Sequence, residues 1–174
     1  MSASSDAPLE LVPYSSAWPA AFAEEAARLQ VLLAPRLVGR VEHIGSTAVP
    51  GLPAKAVIDI MAPVASLQES LGAIGRAQGA GYVCYPYKPE IMHWFCKPSP
   101  ALRTHHLQLV PIGSALWSAR LGFRNALRQS PELAAQYSQL KADLARRHPD
   151  DREAYTEGKS EFIETALRQH SGAP

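Results

Sequence analysis

The chain has 174 residues, of which 47% are apolar and 19% are charged, a composition that supports a folded core and excludes a disordered tail. Lysine and arginine number 17 against 16 aspartates and glutamates, so the net charge of +1 provides no general attraction to nucleic acid or to an anionic membrane. The two cysteines lack metal-ligand spacing, and no apolar run approaches about 18 residues, which argues against a zinc module, a secreted disulfide scaffold and a membrane-spanning protein.

The chain start also bears on location. Residues 1–6 show neither the basic region nor the apolar run of a signal peptide. With the two isolated thiols of Cys84 and Cys96, this predicts a cytoplasmic protein with reduced cysteines and no membrane partner.

The first two thirds of the chain are predicted to alternate strands with helices. A helix is expected over 16–33, and a capping box at 66–69 is expected to open a second helix that two glycines end. Short β-branched and apolar runs predict strands at 38–44, 56–61, 82–85, 93–97 and 103–110.

The last third is predicted to be helical, because only two prolines follow Pro131. Three helices are expected, over 116–129, after the N-cap Ser130, and after a cap at Asp150. The order predicts an α+β fold, a mixed β-sheet with crossover helices followed by a C-terminal helical segment. We expect a core over residues 1–112 and a helical segment over 113–174 packed on it as one structural unit.

The segment with the clearest chemistry joins two predicted strands. Gly45 allows the backbone to approach a phosphate, and Ser46 offers a hydroxyl and an N–H to phosphate oxygens. Asp59 points to the opposite face of its strand from Ile58 and Ile60. A buried strand carries a carboxylate mainly where a cation or a polar partner meets it.

This segment resembles nucleotidyltransferases of the DNA polymerase β type, in which a Gly-Ser pair precedes an Asp-x-Asp pair. Twelve residues separate Ser46 from Asp59, which fits that spacing. A second and closer resemblance extends over nearly the whole chain. The residues that carry it are Tyr14, Trp18 and Phe22, Glu42–Thr47, Gly51, Leu52, Lys55, Ile58–Ile60, His105–Leu107, Phe123, Arg124, Leu127, Arg128, Tyr137, Leu140, Lys141, Asp151, Arg152, Tyr155 and Lys159. In these residues the chain is similar to the GrpB family, which has that fold.

The resemblance implies nucleotidyl transfer from a nucleoside triphosphate to an acceptor, with Mg²⁺ held by carboxylates. Asp59 would be one metal ligand, but Met61 stands where a second aspartate is expected, so enzymatic activity is left open. Glu42 is the nearest replacement ligand, and His106 completes the catalytic candidates. Gln108 departs from the His-x-His pattern frequent in the family.

A phosphate-binding set is also expected. Lys141 and Lys159 each follow a tyrosine at i+4, so the two helices are predicted to lean over the Gly-Ser loop and direct their lysines at a triphosphate. The predicted nucleotide- and phosphate-binding residues are Gly45, Ser46, Thr47, Lys55, Lys141, Tyr155 and Lys159.

Structural interpretations stand beside these functional ones. The Gly45–Ser46 pair is also typical of a turn that ends a strand. Asp59 is also consistent with a structural carboxylate paired with Lys55 or an arginine. Lys141 and Lys159 are also consistent with long side chains that extend from an apolar stripe. His43 and His106 could equally be hydrogen-bonded core histidines. For Arg124 and Arg128 a solvated face and a phosphate clamp both remain open.

Two alternative functions follow. The absence of a second aspartate favours a catalytically silent module that binds a nucleotide or another anion, and relatives fused to dephospho-coenzyme A kinase connect it by analogy to adenine-nucleotide or coenzyme A metabolism. A purely structural or protein-interaction domain would instead have apolar packing around Asp59. Nucleic acid receives no positive support from the charge pattern.

Overall fold

A computed structural model describes residues 9–170 of the chain; residues 1–6, on which the absence of a signal peptide was predicted, lie outside this range. The strands are β1 (Glu42–Ile44), β2 (Ile58–Val64), β3 (Val83–Tyr85), β4 (His93–Pro98) and β5 (Arg103–Pro111). The helices are α1 (Trp18–Leu32), α2 (Leu71–Gly79), α3 (Ala115–Gln129), α4 (Pro131–Arg147), α5 (Arg152–Glu157) and α6 (Ser160–His170).

The strands form one mixed sheet in the order β1-β2-β5-β4-β3. The central pair, β2 and β5, is parallel, and the other neighbouring pairs are antiparallel. The chain reaches β5 from β2 through α2 and the β3–β4 hairpin, as expected for a parallel connection. The predicted α+β class, with a helical segment after the sheet, is confirmed.

Two predicted elements are shorter than expected. The strand predicted over 38–44 pairs with β2 only at Glu42–Ile44. Pro63 of β2 has no N–H to donate to a neighbouring strand. Further along the two segments, only an isolated bridge joins Leu37 to Val64. The helix predicted to start from the capping box begins instead at Leu71. The intervening turn is held by hydrogen bonds that His93 Nε2 and Ser70 Oγ make with the Leu67 carbonyl, at 3.0 and 2.9 Å.

The register gives the sheet two different faces. Apolar residues of β2 and β5, such as Ile60 and Leu107, face α1 and α2 and form the main core. On the opposite face Asp59 lies beside His106, and Met61 lies beside Gln108. Met61 packs in a second apolar cluster with residues of α3, so the face that carries Asp59 is covered by that helix.

The C-terminal helices are four within the described range, not the three predicted. Ser130 caps α4 as expected, its Oγ accepting the Leu133 N–H at 3.2 Å. Asp151, not Asp150, caps α5. The predicted last helix divides near Gly158, where a β-carbon would lie 2.5 Å from Leu144 Cδ2, so the turn between α5 and α6 packs closely against α4.

The helical segment also contacts the residues that follow the Gly-Ser loop. Val49 and Leu52 pack in one cluster with Leu127 of α3 and Tyr137 of α4. The division at residue 112 into two parts of one structural unit stays a prediction. Within the part of the chain that the structure describes, no helix combines the length and apolar content required to cross a bilayer.

Candidate functional site

The Gly-Ser loop and Asp59 lie in direct contact. Gly45 ends β1 with φ of 73°, a backbone conformation that favours glycine. A β-carbon at this position would lie 2.5 Å from Oδ2 of Asp59. The carboxylate therefore packs against the backbone of the loop, and the short helical turn Ser46–Ala48 follows immediately.

Asp59 is joined to His106 on the adjacent strand. Oδ1 of Asp59 lies 2.8 Å from Nδ1 of His106, and the two side chains are 26% and 13% exposed. Burial alone raises the pKa of Asp59, but the hydrogen bond from His106 and the nearby charges of His106, Lys55 and Arg120 lower it below its usual value. Trp94 packs against the His106 ring at a centroid distance of 4.9 Å.

Lys141 of helix α4 contacts the Gly-Ser loop. Its Nζ donates to Ser46 Oγ at 3.1 Å and to the Pro53 carbonyl, and the residue is only 2% exposed. Burial, together with repulsion from Lys55, lowers the pKa of Lys141 from 10.5 to about 8. A charged lysine thus lies where water is largely excluded.

Two further lysines lie close to the buried ring of Tyr155. The Nζ of Lys159 lies 4.3 Å from the ring centroid, and the Nζ of Lys55 lies 5.2 Å from it. Burial is the largest cause that lowers the pKa of Lys159 to about 7, followed by the charge of Lys55, with Lys141 contributing further. We call Lys55, Lys141 and Lys159 the lysine cluster; it adjoins Ser46.

The hydroxyl of Thr47 is engaged by other groups of the protein. It donates to the Val57 carbonyl at 3.1 Å and lies 3.0 Å from Nε2 of His43. Burial lowers the pKa of His43 to about 4, so its ring is neutral at pH 7. Thr47 therefore holds the loop in place by its side chain, and only its backbone remains to meet a ligand.

Three arginines are spaced four apart on α3, two of them contact the loop, and sequence reasoning did not assign the three a role as a set. Arg124 Nη1 pairs with Glu42 at 2.6 Å and donates to the His43 carbonyl at 2.9 Å. Arg128 Nε donates to the Ala48 carbonyl at 2.8 Å, so these two arginines hold the loop on both sides of Ser46. The i, i+4 spacing was visible in the sequence, but their partners were not.

Arg120, one turn before Arg124, was missed altogether. Its Nε is buried without a hydrogen-bond partner. Its charge lowers the pKa of both Asp59 and Lys159. The signal that could have found it is its position in the same i, i+4 series as Arg124 and Arg128.

The predicted Mg²⁺ ligands are arranged differently from a carboxylate cluster. Glu42 lies opposite Met61 across β1 and β2 and is engaged by Arg124, while Oδ1 of Asp59 is engaged by His106. Among residues 9–170, no three or more His, Cys, Asp or Glu side chains are grouped so that they could hold a metal ion. This donor set does not fit a protein-built site for two Mg²⁺ ions.

A groove of about 520 Å³ lies beside the same loop, on the side of α1. It is lined by aromatic and apolar residues, among them Tyr14 and Phe22, together with His43, Thr47 and Arg128. Neither Asp59 nor the lysine cluster lines it. The groove and the lysine cluster are thus separate features on two sides of one loop.

Comparison with known proteins places the chain in a family. The model of the GrpB protein family matches residues 8–169. A UPF0157 protein of Pseudomonas aeruginosa is 39% identical over 163 residues, covering 91% of this chain and 66% of that protein. The UPF0157 protein YqkA of Bacillus subtilis is 32% identical over 158 residues, covering 91% of this chain and 46% of the relative. The chain thus spans at most two thirds of the length of these two curated relatives.

Solved structures agree with the sequence comparison. The crystal structure of the GrpB protein from Enterococcus faecalis superposes with a TM-score of 0.82 at 32% identity, covering 92% of this chain and 96% of that chain. The comparison with the structure of the CdnC:HORMA-deltaN complex of E. coli MS115-1 covers 94% of this chain and 62% of that chain, at 18% identity and a TM-score of 0.44. The second likeness is too distant to bear on chemistry. The family match extends over nearly all the described residues, and the chain belongs to the GrpB family.

Proposed function

We propose that this protein binds a phosphorylated small molecule, with a nucleoside triphosphate as the first candidate, between the Gly45–Ser46 loop and the lysine cluster. The observation that carries the proposal is the 3.1 Å contact between Lys141 Nζ and Ser46 Oγ, made by a lysine that is 2% exposed. A buried ammonium group is costly without a counter-charge. An anion beside Ser46 would supply one.

The chemistry of the loop also suits phosphate oxygens. A serine hydroxyl, backbone N–H groups of a tight turn and lysine ammonium groups are the donors that phosphate sites use repeatedly. Lys55 and Lys159, both close to the ring of Tyr155, add two positive charges to that of Lys141. A ligand with several phosphates therefore fits better than inorganic phosphate.

Isothermal titration of the full chain tests the proposal. The ligands are ATP, GTP, CTP, UTP, tripolyphosphate and dephospho-coenzyme A, the last of which examines the suggested connection with coenzyme A metabolism. Lys141→Met should weaken binding about tenfold or more, because a charge-assisted hydrogen bond is lost. Lys88→Met, the same change at an exposed lysine, should have no effect. No binding of any of these ligands at millimolar concentration would contradict the proposal.

Nucleotidyl transfer is the second candidate, and the contact of Asp59 with Gly45 favours it. A carboxylate beside a phosphate-binding loop is where this chemistry needs one, although Met61 supplies no second carboxylate. The test is incubation with α-phosphate-labelled triphosphates and a broad acceptor mixture. A product that the wild type forms and Asp59→Asn does not form would support nucleotidyl transfer. If the protein binds triphosphate but forms no product, only the function of a binding module would remain.

A further inference from the structure

The groups around Asp59 are arranged for an anion and against a free divalent cation. One carboxylate oxygen, Oδ1, is engaged by His106. The other, Oδ2, packs against Gly45. Mg²⁺ at phosphate sites is usually bound by one or two carboxylates together with water and ligand phosphates, and here both oxygens of the one available carboxylate already meet protein groups.

The side chains that could complete a metal site are committed elsewhere. Met61, two residues along β2 on the same face, is fully buried in apolar packing. Glu42 is held by Arg124 at 2.6 Å. Gln108, the β5 neighbour of Met61, offers an amide oxygen that is buried without a hydrogen-bond partner, but an amide carries no charge to replace a carboxylate.

Positively charged side chains on this side of the sheet come from three separate elements. Lys141 comes from α4, Arg120 from α3, and Lys159 from the turn between α5 and α6. The charges of Lys141 and Arg120 lower the pKa of Lys159, and the charge of Arg120 also lowers the pKa of Asp59. A divalent cation added here would be repelled by the same groups that attract a phosphate.

We infer that the lysine cluster takes the role that divalent metal plays in related phosphate-handling sites, so that the phosphate tail of the ligand is bound without Mg²⁺. The inference rests on the proposed function, because it concerns how the same ligand is held. Lys141 contacts the phosphate nearest Ser46, and Lys159 and Lys55 contact phosphates further along the tail. Asp59 acts as a positioning residue, which accepts from His106 and packs against the loop, and its charge opposes the anion.

The experiment is a titration of the full 174-residue protein with ATP and with tripolyphosphate, in EDTA and in excess Mg²⁺. We expect binding in EDTA at least as tight as in Mg²⁺, because the metal neutralises part of the ligand charge that the lysines recognise. Lys159→Met should weaken binding about tenfold or more in both buffers. Lys88→Met serves as the matched surface control.

Asp59→Asn provides the second arm, since asparagine keeps an oxygen that can accept from His106. If Asp59 only positions the site, this variant should bind tripolyphosphate as tightly as the wild type or more tightly. Binding that appears only with Mg²⁺ and is lost in Asp59→Asn would overturn the inference while leaving the proposed function intact. No binding in either buffer would remove the proposed function itself. Thermal unfolding of each variant checks that it is folded.

Discussion

The Nζ atom of Lys141 lies 3.1 Å from Oγ of Ser46, although 95 positions separate the two residues in the sequence. This contact attaches α4 to the loop that ends β1. Because Lys141 is 2% exposed, its charge is held in a place with little water. The protonation state of Lys141 should therefore affect both the free energy of unfolding and the affinity of the protein for its ligand.

The stability of the protein should depend on the charge of Lys141 above pH 8. The pKa of this lysine is about 8 in the folded chain, against 10.5 ordinarily. Between these values the unfolded chain binds more protons than the folded one, so the contribution of Lys141 to the free energy of unfolding rises with pH. Below pH 8 both states are protonated, and the full cost of burying the charge applies.

Lys141→Met removes the titrating amine, so the difference between the wild type and this variant gives the contribution of Lys141. In urea unfolding, the wild type should gain roughly 2 kcal/mol relative to the variant between pH 7.0 and pH 9.5. A difference between wild type and variant that is the same at both pH values would contradict the expectation. The exposed Lys88→Met variant should show no such change.

Phosphate binding should weaken as the pH rises past 7, because Lys159 loses its proton. The pKa of Lys159 is about 7 as a result of burial first and of neighbouring charge second. The charged groups that act on it are Lys55, Asp59, Lys141 and Arg120. Tripolyphosphate should bind roughly ten times more tightly at pH 6.5 than at pH 8.5, as measured by titration calorimetry.

The matched variant for this pH dependence is Lys159→Arg. A guanidinium group stays charged over the whole range, so the part of the pH dependence due to residue 159 should disappear. If the variant and the wild type lose affinity in parallel between pH 6.5 and pH 8.5, another group is responsible.

Gly45→Ala should destabilise the fold more than the same change at Gly51. Both glycines have positive φ, 73° and 79°, and Gly45 also has ψ of −173°, a combination that essentially only glycine adopts and that costs another residue about 1–3 kcal/mol. At Gly45 a β-carbon would also lie 2.5 Å from Oδ2 of Asp59, whereas at Gly51 nothing lies within 4 Å.

Urea denaturation of the two variants measures the difference. We expect Gly45→Ala to lose at least about 1 kcal/mol more than Gly51→Ala, because alanine fits the backbone of Gly45 poorly and its β-carbon would also displace the carboxylate. Equal losses would mean that Asp59 moves aside without cost, and the contact between the loop and Asp59 would then have no energetic weight.

The contributions of Arg124 and Glu42 to the free energy of unfolding should depend strongly on each other. The arginine is 11% exposed, the carboxylate 33% exposed, and the two lie 2.6 Å apart. Because Arg124 also donates to the His43 carbonyl, Arg124→Met should cost about 2–3 kcal/mol of unfolding free energy.

A double-mutant cycle separates these two contributions. Glu42→Gln in the wild type and in Arg124→Met should give a coupling energy of about 1 kcal/mol or more. A coupling near zero would show that the arginine acts through the loop carbonyl alone. In that case Glu42 would be as available to a ligand as a solvent-exposed carboxylate.

Part of the site could be predicted because it depends on neighbours along the chain. The alternation of β2 was enough to separate Asp59 from Ile58 and Ile60, and the Gly-Ser pair marked the end of β1. Their contact followed from the expected adjacency of the two strands. The lysine and tyrosine pairs at i, i+4 likewise pointed to the helical side of the site.

Other features could not be predicted, because they depend on how separate elements pack. Glu42 was a candidate metal ligand by proximity in sequence, and only the position of α3 shows that Arg124 engages it. The i, i+4 spacing places Arg120 in line with Arg124 but does not show that its charge acts on Asp59 and Lys159. The break near Gly158 depends on Leu144, a residue of a different helix.

The sequence by itself determined the class of fold, the order of the elements and the position of the Gly-Ser loop before Asp59, because hydrophobic period, caps and turn residues act over a few positions. Only the tertiary structure decided which charges meet at that loop. Charged groups act through space, and α3 and α4 bring Arg124 to Glu42 and Lys141 to Ser46 from tens of positions away, so a local pattern marks the helices but not the partners.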